Sequence, residues 1–448
     1  MSSKRLFKVI EVDIKMWYNE KEKFFTERKI TLNIYEAMDY INSFSKLGAP
    51  VNNLLRFARI MRALGDPQKE LEFVHIAGTN GKGSVARMVA GALTDAGYRT
   101  GEFTSPYIRV YNDRIRINGV NIPDNDLADI VTWMRPIIDD LCTECSQFEI
   151  TTAIAFIYFA HRKCDIVVLE AGLGGLLDCT NIIESPRASV ITSISLDHTA
   201  ILGDTIDKIA RQKAGIIKQD CPIVLSPSQR RNVYALMYRT AAQFNAKFVT
   251  PNTSRLKIEK CDYTGNKFTY KGFPYKTSML GKHQIDNALT AIETLYTIKR
   301  NGFKKLTYVN IYKGVSEAEV PSRCQVIRED KPFVMIDGAH NPGGMRALAD
   351  FIRTVPKAPK IMICGMMEDK DWQTSIGFIS RYIDAAVCLD GFAPRTVFAP
   401  KLAEMFIRGE VSSLHDAIPR AAVLAGTDGM VVIAGSLYLA AALQKHGY

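Results

Sequence analysis

The chain has 448 residues, of which 47% are hydrophobic and 23% are charged, and its net charge at pH 7 is +10. This composition supports a sizeable core, which excludes a disordered chain and a disulfide-stapled miniprotein. At about 150 residues per domain, the length predicts two or three domains. The longest apolar run, residues 153–160, is shorter than the ~20 residues of a membrane span and indicates a buried helix instead.

The first thirty residues mix lysine and arginine with acidic residues, which fits neither a signal peptide nor a mitochondrial transit peptide. We therefore expect a cytoplasmic protein with no membrane partner, and we expect it to be a monomer. Its positive charge would suit nucleic acid or small anions, but no basic run with interleaved aromatic residues marks a nucleic-acid surface. Small anionic molecules, and no nucleic acid, are therefore the expected partners.

Short apolar runs, each followed by a stretch with helical periodicity, recur along the chain. Continuous apolar runs indicate parallel strands that are buried on both faces, and their alternation with helices indicates open parallel sheets. The predicted strands are residues 73–77, 166–169, 189–194, 333–336, 360–364, 385–389 and 430–434. Residues 252–275, with a turn around Gly265, predict a β-hairpin or small sheet between the two series.

A glycine-rich loop follows the first predicted strand and reads His-Ile-Ala-Gly-Thr-Asn-Gly-Lys-Gly-Ser over residues 75–84. Glycines let backbone N–H groups turn inward around phosphate oxygens, and a helix predicted from Val85 adds partial positive charge. Lys82 can reach the β- and γ-phosphates, and the Ser84 hydroxyl can lie near a metal ion or a phosphate. The loop departs from the usual P-loop because its first glycine comes two positions late and Gly83 separates Lys82 from Ser84. We interpret it as a triphosphate site, with an ordinary strand-to-helix turn as the weaker alternative.

Two further strand ends in the first half carry candidate metal ligands. Glu170 ends a strand before a second glycine-rich loop, where a carboxylate can hold Mg²⁺ against phosphate oxygens, although helix capping would also explain it. His198 follows the next strand, in the segment Ser-Leu-Asp-His-Thr over residues 195–199. A lone histidine is more often structural, so His198 gains weight as a metal ligand only beside the phosphate loop.

A fourth strand end, in the second half, has the segment Asp-Gly-Ala-His-Asn-Pro over residues 337–342. Helix capping explains Asn341 as N-cap and Pro342 as the first helical residue, but it leaves Asp337 and His340 unexplained. Ligands of open parallel sheets bind beyond the carboxyl ends of the strands. The four strand ends therefore predict a single cleft between two domains.

The predicted fold class is α/β, with a P-loop parallel-sheet ATPase domain and a smaller Rossmann-like C-terminal α/β domain. A helix that ends at Asn301-Gly302 and a new strand–helix series after Arg323 place the boundary between them. We predict an N-terminal extension over residues 1–34, an ATP-binding central domain over 35–318 and a C-terminal ligase domain over 319–448.

These motifs, with several more in the same order, resemble one known family. The shared segments are residues 65–69 (Gly-Asp-Pro-Gln-Lys), 78–84 (Gly-Thr-Asn-Gly-Lys-Gly-Ser), 103–106 (Phe-Thr-Ser-Pro), 148–151 (Phe-Glu-Ile-Thr), 169–175 (Leu-Glu-Ala-Gly-Leu-Gly-Gly), 196–198 (Leu-Asp-His), 212–215 (Gln-Lys-Ala-Gly), 281–288 (Gly-Lys-His-Gln-Ile-Asp-Asn-Ala), 337–342 and 435–438 (Gly-Ser-Leu-Tyr). Together they resemble the folylpolyglutamate synthase/dihydrofolate synthase family of Mur-type ATP-dependent amide ligases. The resemblance runs from about Tyr35 to the C-terminus.

The resemblance implies a ligase that adds L-glutamate to dihydropteroate, to a reduced folate, or to both, through an acyl phosphate, with release of ADP and phosphate. It implies ATP and Mg²⁺, with two metal sites, as cofactors. The residues it assigns to ATP are Gly78, Thr79, Asn80, Gly81, Lys82, Gly83, Ser84, Asn287, Arg323 and Asp337. The residues it assigns to catalysis are Lys82, Glu170, His198, Lys213 and His340.

The resemblance also divides the remaining positions between metal and substrates. Ser105 and Glu170 would hold one Mg²⁺, and His198 would help to hold a second. Lys213 resembles the family's carbamylated lysine, whose added carboxylate lies close to that second metal. The positions implied for substrates are His340 and Ser436 for glutamate, and Phe148 and Asp178 for the pterin.

The chain departs from the family pattern mainly on the acceptor side. Leu176 stands where the family usually has arginine, Tyr107 replaces a histidine, Asp113 replaces a glutamate, and Ser322 replaces a glycine. Loss of a fixed arginine can alter carboxylate recognition, so a Mur-type ligase with a non-folate carboxylic acid acceptor is the alternative. A nucleotide-dependent switch or kinase would leave the second domain unexplained, and a catalytically silent homologue would not need the motif residues together.

Overall fold

The structure is a computed structural model that describes residues 31–45, 54–141, 144–329 and 331–445. Most of the N-terminal extension that we predicted over residues 1–34 therefore lies outside the described residues. Within the described part, no helix is both long and apolar enough to cross a membrane.

An eight-stranded sheet, in the order β4-β3-β2-β5-β1-β6-β7-β8, organises the larger part of the chain. Its strands and helices are α1 (Ile34–Ser43), α2 (Leu55–Ala63), β1 (Phe73–Ala77), α3 (Lys82–Asp95), β2 (Thr100–Phe103), β3 (Ile115–Ile117), β4 (Val120–Asn121), α4 (Asp124–Asp140), α5 (Gln147–His161), β5 (Ile166–Glu170), β6 (Ala188–Ile191), α6 (Thr199–Leu202), α7 (Ile206–Ala214), β7 (Ile223–Leu225), α8 (Arg231–Gln243) and β8 (Phe248–Val249). Six strands, β2, β5, β1, β6, β7 and β8, are parallel to one another. The other two, β3 and β4, are antiparallel additions at the β2 edge. The parallel sheet that we predicted is confirmed, and its antiparallel edge was not foreseen.

The central strand β1 is buried along its whole length, as its continuous apolar run predicted. Successive side chains of a strand point to opposite faces. Val74 and Ile76 pack in the cluster formed with α3 and the helix over residues 282–300, whereas Phe73 packs in the cluster formed with α5. The sheet therefore lies between two helical layers, and its strand ends are held in place from both sides.

A small antiparallel sheet and two helices follow. They are β9 (Leu256–Asp262), β10 (Gly265–Tyr270), β11 (Phe273–Thr277), α9 (Lys282–Arg300) and α10 (Tyr308–Ser316). The sheet order is β11-β10-β9, which confirms the small sheet predicted for residues 252–275. Phe268 and Tyr270 of β10 pack into the same cluster as α3 and α9, so this sheet covers the large domain from outside.

A six-stranded sheet, in the order β12-β13-β17-β14-β15-β16, forms the second α/β domain. Its elements are β12 (Gln325–Arg328), β13 (Phe333–Ile336), α11 (Pro342–Ile352), β14 (Lys360–Cys364), α12 (Trp372–Ile379), β15 (Ala385–Cys388), α13 (Ala399–Ala403), β16 (Gly409–Val411), α14 (Ala417–Ala425), β17 (Met430–Ala434) and α15 (Leu437–Lys445). Only β12, at the edge, runs antiparallel to its neighbour. Asn341 caps α11 through its side chain, and Pro342 is the first residue of that helix, as predicted.

Candidate active site

The glycine-rich loop leads from β1 directly into α3, with Gly81 as N-cap at φ 88°. A Cβ atom at Gly81 would lie 2.3 Å from Asn287 Oδ1, and one at Gly78 would lie 1.7 Å from Thr192 Oγ1. Both positions therefore require glycine, one for its left-handed backbone and both for close packing. The expected helix start at Val85 is wrong by one turn, because Gly81 turns the chain early enough for Lys82 to begin α3.

Lys82 and Glu170, placed by α3 and the end of β5, form the centre of the candidate site. Lys82 Nζ lies 3.7 Å from Glu170 Oε1 and 3.5 Å from the Thr79 carbonyl oxygen, to which it donates. Burial raises the pKa of Glu170 to about 7, against the opposing charges of Lys82 and Arg323 and a hydrogen bond from the Ser105 backbone N–H. A buried carboxylate with so few partners is suited to receive a further cation.

Lys213, on α7, contacts the backbone of the phosphate loop. Its side chain is buried, and Nζ donates a hydrogen bond to the Gly78 carbonyl oxygen at 2.8 Å. Burial and, to a smaller extent, the nearby charge of Lys82 lower the pKa of Lys213 to about 7. A substantial fraction of this amine is therefore neutral near pH 7.

A buried carboxylate that the sequence analysis did not single out, Asp197, joins the two domains. From the C-terminal domain, Lys370 Nζ lies 2.7 Å from Asp197 Oδ1. Asn341 Nδ2 donates to Asp197 Oδ2 at 2.9 Å, and His340 Nε2 lies 3.5 Å from the same oxygen. Although burial opposes ionisation, His340 and Lys370 hold the pKa of Asp197 well below its usual range. Asp197 is therefore an anion on which three side chains of the other domain converge.

A sequence signal for this cluster was present. Asp197 immediately precedes the candidate ligand His198, and Lys370 lies in the loop that follows the carboxyl end of β14. Neighbouring strand ends of a parallel sheet share one edge, so the rule that selected His340 also applies to Lys370. What the sequence could not give is the contact across two separate sheets.

The phosphate loop itself also contacts the second domain. Asn80 Nδ2 donates to Asn341 Oδ1 at 3.1 Å, and Asn341 Nδ2 donates to Asn80 Oδ1 at 3.0 Å. Asn80 Nδ2 also lies 3.2 Å from Ser195 Oγ, and a Cβ atom at Gly343 would lie 2.6 Å from that hydroxyl. The structure thus places the four predicted strand ends around one cleft between two domains.

His198 occupies a different setting from the one expected of a metal ligand. It adopts a left-handed backbone (φ 48°) at the start of α6, and its Nε2 lies 3.0 Å from Lys370 Nζ. Burial lowers the pKa of His198 to about 4, so the ring is neutral and can accept from the ammonium group. The ammonium group of Lys370 therefore lies beside His198 Nε2, where a metal ion was expected.

The remaining candidates for nucleotide and glutamate lie at the carboxyl edge of the second sheet. Both Asp337 oxygens accept backbone hydrogen bonds, from Cys324 N and Ala339 N at 2.7 Å each, which gives this carboxylate a structural role in the turn. Arg323 lies beside that turn, since a Cβ atom at Gly338 would be 3.2 Å from its Nη1. Ser436, buried at the end of β17, caps α15, and Gly435 N donates to the Ala339 carbonyl next to His340.

The two pterin candidates lie on the loop after β5 and on α5. The Phe148 ring packs against the backbone at Gly172, where a Cβ atom would lie 2.5 Å from Phe148 Cζ. The centroids of the Phe148 and Phe103 rings are 5.8 Å apart. Asp178 is buried at the end of the same loop. Leu176 and Tyr107, two of the departures from the family pattern, are 46% and 47% exposed. Apolar surface therefore lies open where the pattern has an arginine and a histidine.

The donor set fits one magnesium ion. Mg²⁺ prefers oxygen ligands, usually one or two carboxylates with several waters and substrate phosphates. The Glu170 carboxylate and the Ser105 hydroxyl are candidate oxygen ligands near the phosphate loop, and the one ammonium group paired with the buried acid, Lys82 Nζ, lies 3.7 Å from it. A second ion has a poorer donor set, because Lys370 lies against His198 and Lys213 is an amine; among the described residues, no cluster of three acidic, histidine or cysteine side chains could hold a metal.

Comparisons with known proteins agree on one family. The Mur ligase middle domain matches residues 76–295, and the Mur ligase glutamate ligase domain matches residues 322–437. Folylpolyglutamate synthase from Lacticaseibacillus casei is 34% identical over 439 residues, which cover 92% of this chain and 98% of that protein. Dihydrofolate synthase/folylpolyglutamate synthase from Bacillus subtilis is 34% identical over 427 residues, with the same coverage.

Solved structures with the same fold include nucleotide complexes. Escherichia coli FolC in complex with DHPP and ADP superposes with a TM-score of 0.82 at 26% identity, covering 94% of this chain and 98% of that one. Folylpolyglutamate synthase of Mycobacterium tuberculosis, complexed with ADP and AMPPCP, also has a TM-score of 0.82, at 28% identity over 93% of this chain and 99% of that one. The predicted fold class of two α/β domains is confirmed. The chain belongs to the folylpolyglutamate synthase/dihydrofolate synthase family of Mur-type ligases.

Proposed function

We propose that this chain joins the amine of L-glutamate to the carboxylate of dihydropteroate, of a reduced folate, or of both, at the expense of ATP. The observation that carries the proposal is the cleft itself. Lys82 and buried Glu170 lie on one wall, and His340 and Lys370 approach Asp197 from the other domain. A site divided between two domains can admit its substrates when open and exclude water when closed.

The chemistry follows from the poor reactivity of a carboxylate toward amines. A carboxylate oxygen of the acceptor attacks the γ-phosphorus of ATP, the bond to the β-phosphate oxygen breaks, and ADP leaves. The glutamate amine then attacks the acyl carbon, and the phosphate leaves with the bonding electron pair as the amine loses a proton. Water would hydrolyse the acyl phosphate, so exclusion of water by the closed domains protects the intermediate.

On the phosphate side, Lys82 and the loop N–H groups stabilise the charge that spreads over the transferred phosphoryl group. Glu170 and Ser105 would hold Mg²⁺, which supplies further positive charge against the phosphate oxygens. Asn287, which packs against Gly81 of the loop, and Arg323 would contact the nucleotide, and Asp337 shapes the turn beside Arg323. The near-neutral pKa of Lys213 supports its carbamylation, because only a neutral amine reacts with carbon dioxide.

On the substrate side, we propose that Phe148 packs on the pterin ring and Asp178 accepts a hydrogen bond from it. His340 and Ser436, at adjacent strand ends of the second sheet, would contact glutamate. A second Mg²⁺ at His198 stays a prediction, and it requires that Lys370 move away from the Nε2 atom.

Three organisational predictions accompany this function. The gap between the two matched family segments supports our domain boundaries of residues 35–318 and 319–448. A cytoplasmic location fits the substrates of such a ligase. The monomeric state also stays a prediction, which sedimentation equilibrium would test.

Phosphate release by the purified protein tests the proposal. The assay contains MgATP and L-glutamate with dihydropteroate, with tetrahydrofolate, or with no acceptor. Release that requires both glutamate and a pterin supports the ligase, and the preferred pterin identifies the step. If neither pterin stimulates release although ATP binds, the folate acceptor is wrong, and the non-folate acid becomes the leading candidate. ADP release that is independent of any amino acid would indicate a kinase or switch instead.

A further inference from the structure

A histidine in the middle of the buried strand β1 has no role in the chemistry described above. His75 is fully buried, between residues whose side chains are apolar. Its Nε2 lies 2.9 Å from Thr180 Oγ1, and its Nδ1 is a buried atom without a hydrogen-bond partner. Burial of an imidazole with one unsatisfied nitrogen costs free energy of folding. The single hydrogen bond of His75 is therefore the feature to explain.

The contact leads to the acceptor side of the cleft. Thr180 Oγ1 donates to Asp178 Oδ1 at 2.5 Å, and the Thr180 backbone N–H donates to the same oxygen at 3.0 Å. The Leu173 backbone N–H donates to Asp178 Oδ2 at 2.7 Å. One hydrogen-bonded chain therefore runs from the strand that carries the phosphate loop to the carboxylate that we place against the pterin.

The direction of every bond in this chain follows from the donor inventory. Asp178 as a carboxylate only accepts, so the single proton of the Thr180 hydroxyl points to it. The hydroxyl oxygen must then accept from His75, which makes His75 the neutral tautomer with its proton on Nε2. Burial lowers the pKa of His75 to about 3, in agreement with a neutral ring, and leaves Nδ1 as an acceptor that receives no hydrogen bond.

The acceptor capacity of Asp178 is almost used up by these partners. A carboxylate offers roughly four lone-pair sites, and three of them receive the two Thr180 donors and the Leu173 N–H. Two donors hold Oδ1, whereas Oδ2 has one internal donor. The free acceptor position of Asp178 is therefore on Oδ2.

We propose that His75 and Thr180 are positioning residues that orient the Asp178 carboxylate so that Oδ2 accepts one N–H group of a heteroaromatic acceptor. The inference rests on the proposed function, in which Asp178 contacts the pterin. It adds two residues to acceptor recognition that touch no substrate themselves. It also predicts that Thr180 acts on acceptor binding alone, although its partner His75 lies on the strand before the phosphate loop.

Paired substitutions at Thr180 separate positioning from packing. Thr180→Val keeps the shape and removes the hydroxyl, whereas Thr180→Ser keeps the hydroxyl. Because a hydrogen bond to a charged group is lost, we expect Thr180→Val to raise the acceptor KM by about tenfold or more. We expect an ATP KM within about twofold of the unmodified enzyme, and recovery of the acceptor KM in Thr180→Ser. Thr297→Val is the matched control, since the buried Thr297 hydroxyl donates only to a carbonyl within α9.

A double-substitution cycle tests whether His75 acts through Thr180. We expect His75→Met to raise the acceptor KM, and we expect the His75→Met/Thr180→Val double variant to be no worse than Thr180→Val alone. Additive effects, an equal rise of the ATP KM, or a Thr180→Ser variant as impaired as Thr180→Val would overturn the inference. Asp178→Asn separates the positioning role of Thr180 from the contact between Asp178 and the pterin. If Asp178→Asn raises the acceptor KM but Thr180→Val does not, only the positioning role is wrong, and an unchanged KM in Asp178→Asn refutes the placement of the pterin as well.

Discussion

Replacement of Ser322 by glycine should make the protein more stable. Ser322 has a left-handed backbone with φ 57°, in the linker where the family pattern has glycine. Its backbone bonds, from its N–H to Gln325 Oε1 and from Gly338 N–H to its carbonyl, do not depend on the side chain. Its hydroxyl is buried and has no hydrogen-bond partner.

The expected gain follows from four contributions. Relief of the left-handed conformation contributes about 1–2 kcal/mol, and removal of the unsatisfied hydroxyl contributes about 1–3 kcal/mol. Against these stand about 0.4–1 kcal/mol for the greater freedom of glycine in the unfolded chain and about 0.8 kcal/mol for the lost methylene burial. We therefore expect Ser322→Gly to raise the free energy of unfolding by about 2 kcal/mol.

Urea denaturation followed by circular dichroism measures this change, with an unchanged slope showing that the same transition is compared. Ser322→Ala serves as the control, because it removes the hydroxyl but keeps a Cβ atom in the left-handed region. We expect Ser322→Ala to be more stable than the serine protein as well, by about 1–3 kcal/mol, because the unsatisfied hydroxyl is removed. A Ser322→Gly protein no more stable than the original would refute the reasoning, and a Ser322→Ala protein no more stable than the original would show that the unsatisfied hydroxyl is not destabilising.

Three further predictions concern the cleft and its surroundings. Lys82→Ala should lower turnover by about 100-fold or more in the phosphate-release assay, by analogy with the loss of one preorganised donor, and near-normal turnover would remove Lys82 from the chemistry. Lys370→Met should lower kcat, and a cycle with Asp197→Asn should give a coupling energy of about 1–3 kcal/mol, whereas additive effects would show that the contact is unimportant. The pKa of His75 is about 3 in the folded chain, so below about pH 6.5 the unfolded chain binds a proton at His75 that the folded chain does not. This difference makes the free energy of unfolding fall as the pH falls. His75→Met should therefore lose about 2–3 kcal/mol less than the original protein between pH 6.5 and pH 4.5, as urea midpoints at the two pH values would show.

The parts of the fold that could be predicted are those governed by local pattern. The bounds of β1, β13, β14 and β17 agree with the apolar runs, because a strand buried on both faces tolerates few polar residues. The capping of α11 could also be predicted, because N-cap chemistry is local. The antiparallel edges β3, β4 and β12 could not, since short edge strands are only partly buried and lack a continuous apolar run.

The residues of the candidate site that could be predicted are likewise those that lie in local motifs. Lys82 and Glu170 could be predicted, because each lies in its own motif at the carboxyl end of a strand, and the two strands belong to one sheet. Asp197, Lys370 and Thr180 acquire their roles only through contacts with residues distant in sequence, which no local pattern encodes. The sequence suggested a metal at His198, whereas the structure places an ammonium group there, because a loop of the second domain reaches across the cleft.

Transfer of an oxygen isotope from acceptor to phosphate tests the central claim most directly. The enzyme would be given MgATP, L-glutamate and a pterin acceptor whose reacting carboxylate is labelled with ¹⁸O, and the phosphate and the amide product would be analysed by mass spectrometry. If ATP activates the carboxylate as an acyl phosphate, each phosphate released with the amide carries one oxygen from the acceptor. Amide formation with unlabelled phosphate would contradict the acyl phosphate, and phosphate release without amide would contradict ligation itself.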